Sequence, residues 1–378
     1  MEGKIRVAVL GCGDRSRRVV GHLLEDSGRQ VEIASIFDPD ASEMEFVKKT
    51  WESPETKPCA SAQEAIGFPG VEWVMVFSPN AFHREHILAA FKAGKHVFSE
   101  KPLATSIDDC VEIYNAHRSS DRIFATGFVL RYSPLYRKVK ELLDSGDFGH
   151  IISINADENI TPHHGCYIMT NWRRNSSVAG PHILEKCCHD LDLINWFCNS
   201  RAAKVSSFGG RNFFVPGNEY LREKYGRDVF TGWRDPHAVA TAFTSDKDLM
   251  DNQVAIFEYR NRIRVQFQCT MSNAMPTRRM YFSCTEGTIE VELYDHRIRC
   301  RRVGENVELS MDFKKIDGHG GGDEVIMKEL FHTMKTGDAP KCSGSEGLES
   351  AVLALAIDEA ARTGRIVDLE PVWKKLGR

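Results

Sequence analysis

The sequence predicts an α/β fold in two parts: an N-terminal Rossmann-type domain with a doubly wound parallel sheet, then an α+β domain with a large, mostly antiparallel open sheet. Over the first third of the chain, near-continuous apolar runs alternate with helical patterns, as buried parallel strands do. From residue 150 to about residue 302 the segments become longer and strand-like, with short turns. We expect domains at 1–130 and 131–378, with the C-terminal helices packing back on the first domain.

Short apolar runs build the first predicted sheet. They cover residues 5–10, 31–37, 71–77, 95–99 and 122–129. A capping box formed by Thr105 and Asp108 begins a helix that runs to about residue 119, between the last two runs. The parallel sheet therefore has at least five strands.

A helix opens the second domain and leads into its strands. Ser133 and Pro134 supply its N-cap and first helical residue, and Ser145 with Gly146 ends it. Strands are expected at residues 151–157, 253–259, 263–269 and 288–293, with a short turn at 260–262. One face of this sheet should be available to a second subunit, so we expect a homodimer or homotetramer.

Two glycine-rich stretches join these elements. Residues 318–322 (GHGGG) read as a flexible junction before helices at about 323–335 and 345–363. The stretch 208–235, rich in Gly, Asn, Arg and aromatic residues, lacks periodicity. It fits a lid, a dimer contact or an insertion.

Composition excludes several classes of partner. Lys and Arg number 49 against 53 Asp and Glu, and the formal net charge of −4 draws the chain neither to nucleic acid nor to an anionic membrane. The sequence shows neither a secretory signal pattern nor an apolar run of the length, roughly 18 residues or more, that spans a bilayer. We expect a cytoplasmic protein that acts on a small polar metabolite.

The eleven cysteines are scattered along the chain, which favours reduced thiols over a disulfide framework. Only Cys187 and Cys188 are adjacent, in a run that also contains His182 and His189. Neighbouring helical residues diverge by about 100° around the axis, so these thiols and His189 should not converge on one ion. We expect no metal site.

A glycine turn at residues 11–16 predicts a dinucleotide site. Gly11 allows the tight turn after the first strand, and Gly13 lets a pyrophosphate approach the N-terminus of the next helix. Ser16 takes the third glycine position and is small enough for close packing. Asp38 ends the second strand, where a carboxylate accepts both ribose hydroxyls and repels a 2′-phosphate, so NAD is favoured over NADP. The same residues also fit a turn in another α/β fold, such as a flavodoxin-like one.

Two further groups of residues point to chemistry. Lys101 follows the fifth strand, at the edge where open α/β sheets present ligands, and an ammonium there can hold a substrate oxygen. Residues 182–198 read as one helix with Glu185, His189, Asp192 and Trp196 on a shared face. On spacing alone, an exposed strand-end lysine and a solvated helix face explain these groups at least as well.

Taken in order, these features resemble the Gfo/Idh/MocA oxidoreductases over essentially the whole chain. The motifs that carry the resemblance are the glycine turn, Ser78-Pro79-Asn80 with His83, Glu100-Lys101-Pro102, residues 127–134 and residues 185–192. The resemblance implies an NAD-dependent enzyme that moves a hydride to or from a secondary alcohol carbon of a sugar or cyclitol.

Roles for particular residues follow from the resemblance. His189 would take the hydroxyl proton, Lys101 would stabilise the alkoxide and relay protons, and Glu185 would orient the imidazole or the substrate. Glu185 stands where the family has aspartate, which is a departure. The residues expected to bind the cofactor are Gly11, Cys12, Gly13, Asp14, Arg15, Asp38, Ser78, Pro79, Asn80, His83, Glu100, Lys101, Arg131, Trp172 and Arg173. Those expected to bind substrate are Lys101, His163, Tyr167, Arg174, Glu185 and His189.

Some of these assignments also have a reason in residue type. Residues 161–174 are polar, aromatic and basic, which suits contact with a polyol ring. Arg15 is open to three interpretations, because it can contact the pyrophosphate, stack on adenine or lie solvated in the first turn of a helix.

Two other functions stay open at this point. Related folds cleave glycosides by transient oxidation and elimination with NAD regenerated at each turnover, and net NADH release would exclude that activity. The other is a non-catalytic, cofactor-sensing regulator, against which the presence of Lys101 and His189 speaks.

Overall fold

Six parallel strands form the first sheet of the computed structural model. They are β1 (Ile5–Leu10), β2 (Val31–Phe37), β3 (Lys57–Pro58), β4 (Trp73–Val76), β5 (His96–Ser99) and β6 (Phe124–Thr126). Their order is β3-β2-β1-β4-β5-β6, and every neighbouring pair is parallel. The strand order reverses between β1 and β4, so a crevice for ligands opens at the carboxyl ends of these strands.

Five helices accompany these strands: α1 (Asp14–Asp26), α2 (Ala41–Thr50), α3 (Ala62–Ile66), α4 (His83–Lys92) and α5 (Ile107–Arg118). Helix α1 buries Val19, Val20 and Leu23 on one face. The cap of α5 lies one residue later than predicted, because Ser106, not Thr105, has the extended backbone of an N-cap and accepts a hydrogen bond from the Asp109 N–H.

The second sheet has nine strands in the order β14-β13-β12-β11-β7-β10-β9-β8-β15. They are β7 (Ile151–Asn159), β8 (Ala202–Gly210), β9 (Asn252–Tyr259), β10 (Arg264–Thr270), β11 (Thr277–Cys284), β12 (Gly287–Glu292), β13 (Arg297–Arg302), β14 (Leu309–Asp312) and β15 (Val367–Asp368). Within the described residues of this sheet, only β7 and β10 pair in parallel. The predicted turn at 260–262 joins β9 to β10.

The second sheet buries one face and exposes the other. On β9, Ala255 and Phe257 are buried, whereas Val254 and Ile256, which alternate with them, are exposed. The remaining helices are α6 (Pro134–Asp144), α7 (Pro162–Thr170), α8 (Ser176–Ala179), α9 (His182–Glu185), α10 (Cys188–Cys198), α11 (Leu221–Tyr225), α12 (Gly322–Thr336), α13 (Gly344–Thr363) and α14 (Glu370–Lys375). Helix α6 begins at Pro134 with Ser133 as its N-cap, as predicted.

The structure describes residues 3–233, 241–316 and 318–378, and the chain divides into two compact units. The first unit comprises residues 1–132 and 321–351, and the second comprises residues 133–320 and 352–378. Helix α12 thus belongs to the first unit, where it packs on α1. No helix among the described residues is long and apolar enough to cross a membrane.

Two glycines of the run at 318–322, Gly320 and Gly322, are closely packed, and the boundary between the two units falls between Gly320 and Gly321. The flexibility of the predicted junction stays a prediction. A Cβ added to Gly322 would lie 2.2 Å from the carbonyl oxygen of Val129. One added to Gly320 would lie 2.6 Å from the Ser133 hydroxyl. Glycine is required at these two positions because other atoms of the same chain approach closely, and not because the backbone must be flexible there.

A buried cluster of charges ties α10 to the second sheet. Arg278 of β11, 1% exposed, donates two hydrogen bonds of 2.8 Å to Asp190 of α10. Its Nε also lies 2.7 Å from a carboxylate oxygen of Glu158 on β7. Lys186 precedes α10, and its ammonium lies 3.1 Å from the other carboxylate oxygen of Glu158. The two positive charges of Arg278 and Lys186 are thus paired with the two negative charges of Asp190 and Glu158. Such pairing is the main condition under which charged side chains can be buried.

Removal of Arg278 should destabilise the protein strongly. We expect Arg278→Ala to lower the free energy of unfolding by about 3–5 kcal/mol, because two carboxylates lose their buried partner. The matched control is Arg279→Ala on the same strand, whose side chain is 40% exposed; its effect should stay below about 1 kcal/mol. Urea denaturation followed by circular dichroism measures both, and equal effects of the two variants would contradict the assignment.

Candidate active site

The glycine turn after β1 has the geometry of a phosphate-binding turn. Gly11 has φ = +95°, and a Cβ there would lie 2.6 Å from the backbone carbonyl carbon of Phe77, so only glycine fits. Gly13 is the N-cap of α1 and brings no capping side chain. A Cβ at Gly13 would meet no protein atom within 4 Å. The start of α1 is therefore open to an anion that its amides and dipole can bind.

Asp38, at the end of β2, is held against this turn. Its Oδ2 accepts a hydrogen bond of 2.8 Å from the Cys12 N–H, and its Oδ1 accepts one of 2.9 Å from the Asp40 N–H. These two bonds fix a carboxylate beside the glycine turn, where a dinucleotide presents its ribose hydroxyls. The turn and Asp38 together fit NAD.

Arg15 forms ion pairs with two buried carboxylates. Its Nε lies 2.6 Å from Glu100 Oε1, and its Nη1 lies 2.7 Å from Asp323 Oδ1 at the start of α12. Burial alone would lower the pKa of Arg15, but the two carboxylates outweigh it and raise the pKa above its ordinary value. The solvated interpretation of Arg15 is thus wrong, and contact of its side chain with the cofactor stays a prediction.

Lys101 lies in a turn that is held on both sides. The Glu100 carboxylate accepts a hydrogen bond of 3.1 Å from the Lys101 N–H. A Cβ at Gly127 would lie 2.8 Å from that carboxylate, so Gly127 makes room for it. The buried ring of His83 lies between two carbonyl oxygens, 2.7 Å from that of Pro102 and 2.9 Å from that of Ser78. His83 thus joins the turns that follow β4 and β5.

The other residues after β4 are also buried. The Ser78 hydroxyl lies 2.9 Å from Nδ1 of His86, and burial lowers the pKa of His86 to about 4. Pro79 precedes a short 3₁₀ helix, Asn80–Phe82, in which Asn80 is buried. The His83 ring therefore holds the backbone at this edge of the sheet, where Ser78 and Asn80 are also buried. Cofactor contact by these residues stays a prediction.

In the second unit, the predicted continuous helix over residues 182–198 is wrong. The chain forms α9 up to Glu185 and α10 from Cys188, with Lys186 and Cys187 between them. The break lies beside the buried charge cluster, which takes Lys186 from the break and Asp190 from α10. Glu185 and His189 therefore lie on separate helices, so the spacing of one regular helix does not relate them.

Glu185, His189 and Asp192, which lie on either side of this break, are buried, and this overturns the interpretation of a solvated helix face. Exposed fractions are 7% for Glu185, 3% for His189 and 1% for Asp192. The rings of His189 and His319 have centroids 5.7 Å apart. Sequence reasoning missed His319, which lies within the glycine run, because nothing local marks a distant partner for His189.

Arg173 connects the substrate segment to Glu185. Its Nε donates to Glu185 Oε1 at 2.8 Å, and its Nη1 donates to the Tyr167 hydroxyl at 3.0 Å. The guanidinium carbon lies 4.2 Å from the ring centroid of Trp172. Arg174 does not join this group, because its Nε pairs with Asp246 at 2.5 Å on the surface. The structure thus brings Tyr167, Trp172, Arg173 and Glu185 together and leaves Arg174 apart.

The remaining predicted residues occupy separate positions. Asp14 is exposed at the start of α1, where it pairs with Arg17 at 2.8 Å. Arg131 is half-buried in the 3₁₀ helix Val129–Tyr132. His163 is half-buried on α7, with its ring against Trp233.

One set of possible metal ligands converges among the described residues: His182, Cys187 and Cys269, all buried, have ligand atoms within 4.8 Å of one another. This set differs from the one considered in the sequence, because β10 brings Cys269 to Cys187 and neither Cys188 nor His189 belongs to it. Cys188 instead donates its thiol to the Glu185 carbonyl at 3.8 Å. Burial, with a hydrogen bond to Cys269, raises the pKa of the Cys187 thiol well above its usual range. The absence of a metal stays a prediction.

The fold and the glycine turn define a Rossmann-type dinucleotide-binding protein with a second α+β unit. A model of the oxidoreductase family with an NAD-binding Rossmann fold, GFO_IDH_MocA, matches residues 5–128, and the Gfo/Idh/MocA C-terminal domain matches residues 136–290. The chain belongs to the Gfo/Idh/MocA oxidoreductase family. The predicted family, fold class, enzyme class and cofactor are thereby confirmed.

Relatives include enzymes with different substrates. Inositol 2-dehydrogenase 3 of Saccharopolyspora erythraea is 38% identical over 202 residues, which are 51% of this chain and 53% of that protein. The 1,5-anhydro-D-fructose reductase of Ensifer adhaerens is 26% identical over 322 residues, 83% of this chain and 84% of that protein. A levoglucosan dehydrogenase solved with NADH and levoglucosan shares the fold, with a TM-score of 0.80, 16% identity, and coverage of 97% of this chain and 100% of that one.

A methyl group at Gly13 should separate cofactor binding from folding. Gly13→Ala adds a Cβ where the protein leaves room but a pyrophosphate must approach, so we expect NADH affinity to fall roughly tenfold or more. Gly21→Ala in the same helix is the matched control, since its Cβ also meets no atom within 4 Å; it should leave affinity unchanged. Fluorescence titration with NADH measures both, and unchanged affinity in Gly13→Ala would contradict the site.

Proposed function

We propose that this protein transfers a hydride between NAD and a secondary alcohol carbon of a sugar, glycoside or cyclitol. The observation that carries the proposal is the position of Lys101 after the carboxyl end of β5, in the same sheet whose β1 leads into the glycine turn. NAD, when bound, supplies the site that accepts or donates the hydride. Gly11, Gly13 and Asp38 would hold its pyrophosphate and ribose.

Each reactive residue has a role that its chemistry supports. The Lys101 ammonium binds the substrate oxygen and stabilises negative charge that develops on it. His189 takes the proton of the substrate hydroxyl, because an imidazole has its ordinary pKa near neutrality. Glu185, paired with Arg173, orients the substrate or the imidazole. Asp323 and Arg15 support Lys101 indirectly, since Arg15 holds the Glu100 carboxylate that accepts the Lys101 N–H.

Two observations support a cyclic, hydroxyl-rich substrate. The segment 161–174 brings a phenol, an indole and a guanidinium into contact, a mixture that suits a ring with both apolar faces and hydroxyls. The relatives named above are enzymes of inositol, an anhydrofructose and levoglucosan, all of which are cyclic polyols or anhydrosugars.

Loss of the Lys101 ammonium should stop the chemistry. We expect Lys101→Ala to reduce kcat at least about a hundredfold, in line with removal of a positioned acid-base group. Lys92→Ala, an exposed lysine at the end of α4, is the control and should keep full activity. NADH formation with free sugars, glycosides and inositols measures both variants, and an unchanged kcat in Lys101→Ala would reject the role.

We also propose that the open face of the second sheet binds another copy of the chain. This face exposes apolar side chains on the neighbouring strands β8 and β9. Phe208 of β8, 71% exposed, lies opposite Val254 of β9, 44% exposed, and Ile256, 62% exposed, follows two residues later on β9. A contiguous apolar surface of this kind on a sheet is typical of a subunit interface.

The oligomeric state tests this surface. We expect a dimer or tetramer by analytical ultracentrifugation, and a monomer for Ile256→Asp, because the charge would be buried without a partner. Val303→Asp, at a valine that is 76% exposed in the turn after β13, should leave the assembly intact. Wild-type protein that sediments as a monomer would overturn the proposal.

A further inference from the structure

The stretch that the sequence left without a role, 208–235, is anchored on α7 through residue 233; residues 234 and 235 lie outside the described residues. Phe214 and Phe230 from this stretch share a buried apolar cluster with Cys166, Ile168 and Met169 of α7. The stretch is therefore packed on the substrate segment by a small core of its own.

Gly232 is pressed against α7. A Cβ at this position would lie 2.5 Å from the Cα of Tyr167 and 2.6 Å from its nitrogen, so glycine alone permits the approach. The next residue, Trp233, therefore lies directly beside α7.

Trp233 is held by the rings of α7 and yet remains half exposed. Its ring centroid lies 5.1 Å from that of His163, 4.7 Å from that of His164 and 5.1 Å from that of Tyr167, all with the planes steeply inclined. Its exposed fraction is 49%. Edge-to-face packing of this kind fixes the orientation of an indole that still offers apolar surface to a ligand.

The same tyrosine links Trp233 to the charged residues of the helix break. The Tyr167 hydroxyl accepts a hydrogen bond from Arg173, and Arg173 in turn pairs with Glu185. An exposed indole, a phenol, a guanidinium and a carboxylate thus form one continuous group. A sugar ring has apolar C–H groups on its face and hydroxyls around its rim, so an indole beside hydrogen-bonding groups complements both.

We propose that Trp233 is the stacking surface of the substrate site, and that the substrate is a cyclic polyol, a pyranose, pyranoside or cyclitol, rather than an open-chain polyol. The proposal rests on the function proposed above and narrows its substrate class. The aromatic surface binds the C–H face of the ring, while Arg173 and the imidazoles of α7 contact its hydroxyls. Trp233 acts in ground-state binding, so its loss affects KM more than kcat.

Steady-state kinetics on Trp233→Ala and Trp233→Phe test the proposal. For the best cyclic substrate we expect Trp233→Ala to raise KM about tenfold with kcat within about threefold, and Trp233→Phe to give a smaller rise in KM. Tyr225→Ala is the control, because Tyr225 is 58% exposed in the same stretch and should leave KM unchanged. NADH affinity should be the same in all three variants. An unchanged KM in Trp233→Ala, or an equally good open-chain substrate of the wild type, would overturn the proposal.

A binding measurement separates this proposal from the proposed function. Saturation-transfer NMR with NADH present reports contact between the protein and myo-inositol, methyl glucosides and the open-chain glucitol. Binding of the cyclic compounds that is lost in Trp233→Ala supports the stacking role even without turnover. Turnover with no effect of Trp233→Ala overturns the stacking role alone, whereas neither binding nor turnover by the wild type overturns both.

Discussion

The buried pairing of Arg278 with Asp190 and Glu158 is the constraint on which the second unit depends. A guanidinium 1% exposed to solvent is stable only with its charge and its donors satisfied, and two carboxylates from different elements satisfy them. Lys186 joins the same cluster from the break between α9 and α10. The charge balance that permits this burial therefore also sets where Glu185 and His189, on either side of Lys186, are held.

A similar constraint operates in the first unit, although it is less deeply buried. The side chain of Arg15, from the glycine turn, forms ion pairs with two carboxylates: Glu100, which follows β5, and Asp323, at the start of α12. Glu100 in turn accepts the backbone N–H of Lys101, so the turn that should bind the pyrophosphate and the turn that presents the lysine are mechanically linked. In each unit, a paired arginine with no proposed role in hydride or proton transfer positions residues that have one. Arg278 does so for Glu185 and His189, and Arg15 does so for Lys101.

The substrate side combines local and distant parts of the chain. Tyr167, Trp172 and Arg173 come from one short segment, so their residue types alone could indicate a polyol-binding surface. Trp233 joins them because Gly232 approaches the backbone of α7, and Glu185 is hydrogen-bonded to Arg173. Tyr167 contacts both the indole of Trp233 and the guanidinium of Arg173, so it links the aromatic residues of this surface to its charged ones.

Some features could be predicted well because they are local. Five of the six strands of the first sheet, the glycine turn, Asp38 and the N-terminal end of α6 followed from apolar periodicity, from glycine and proline conformations and from spacing along the chain. The two-residue strand β3 (Lys57–Pro58) was not predicted. The one-residue error at the cap of α5 has the same origin, since Thr105 and Ser106 are both good caps and only the backbone decides between them.

By itself the sequence determined the fold class and the dinucleotide turn. Both depend on residues that are close together in the sequence, through the conformation of glycines and the periodic spacing of apolar side chains. The tertiary structure decided which charges pair: Arg15 with Asp323 across 308 positions, Arg278 with Asp190 across 88. It also decided that the helix at 182–198 breaks, that Cys187 meets Cys269, and that Trp233 lies on α7. Such contacts depend on the path of the whole chain, and a buried pair can override the periodicity of a single helix.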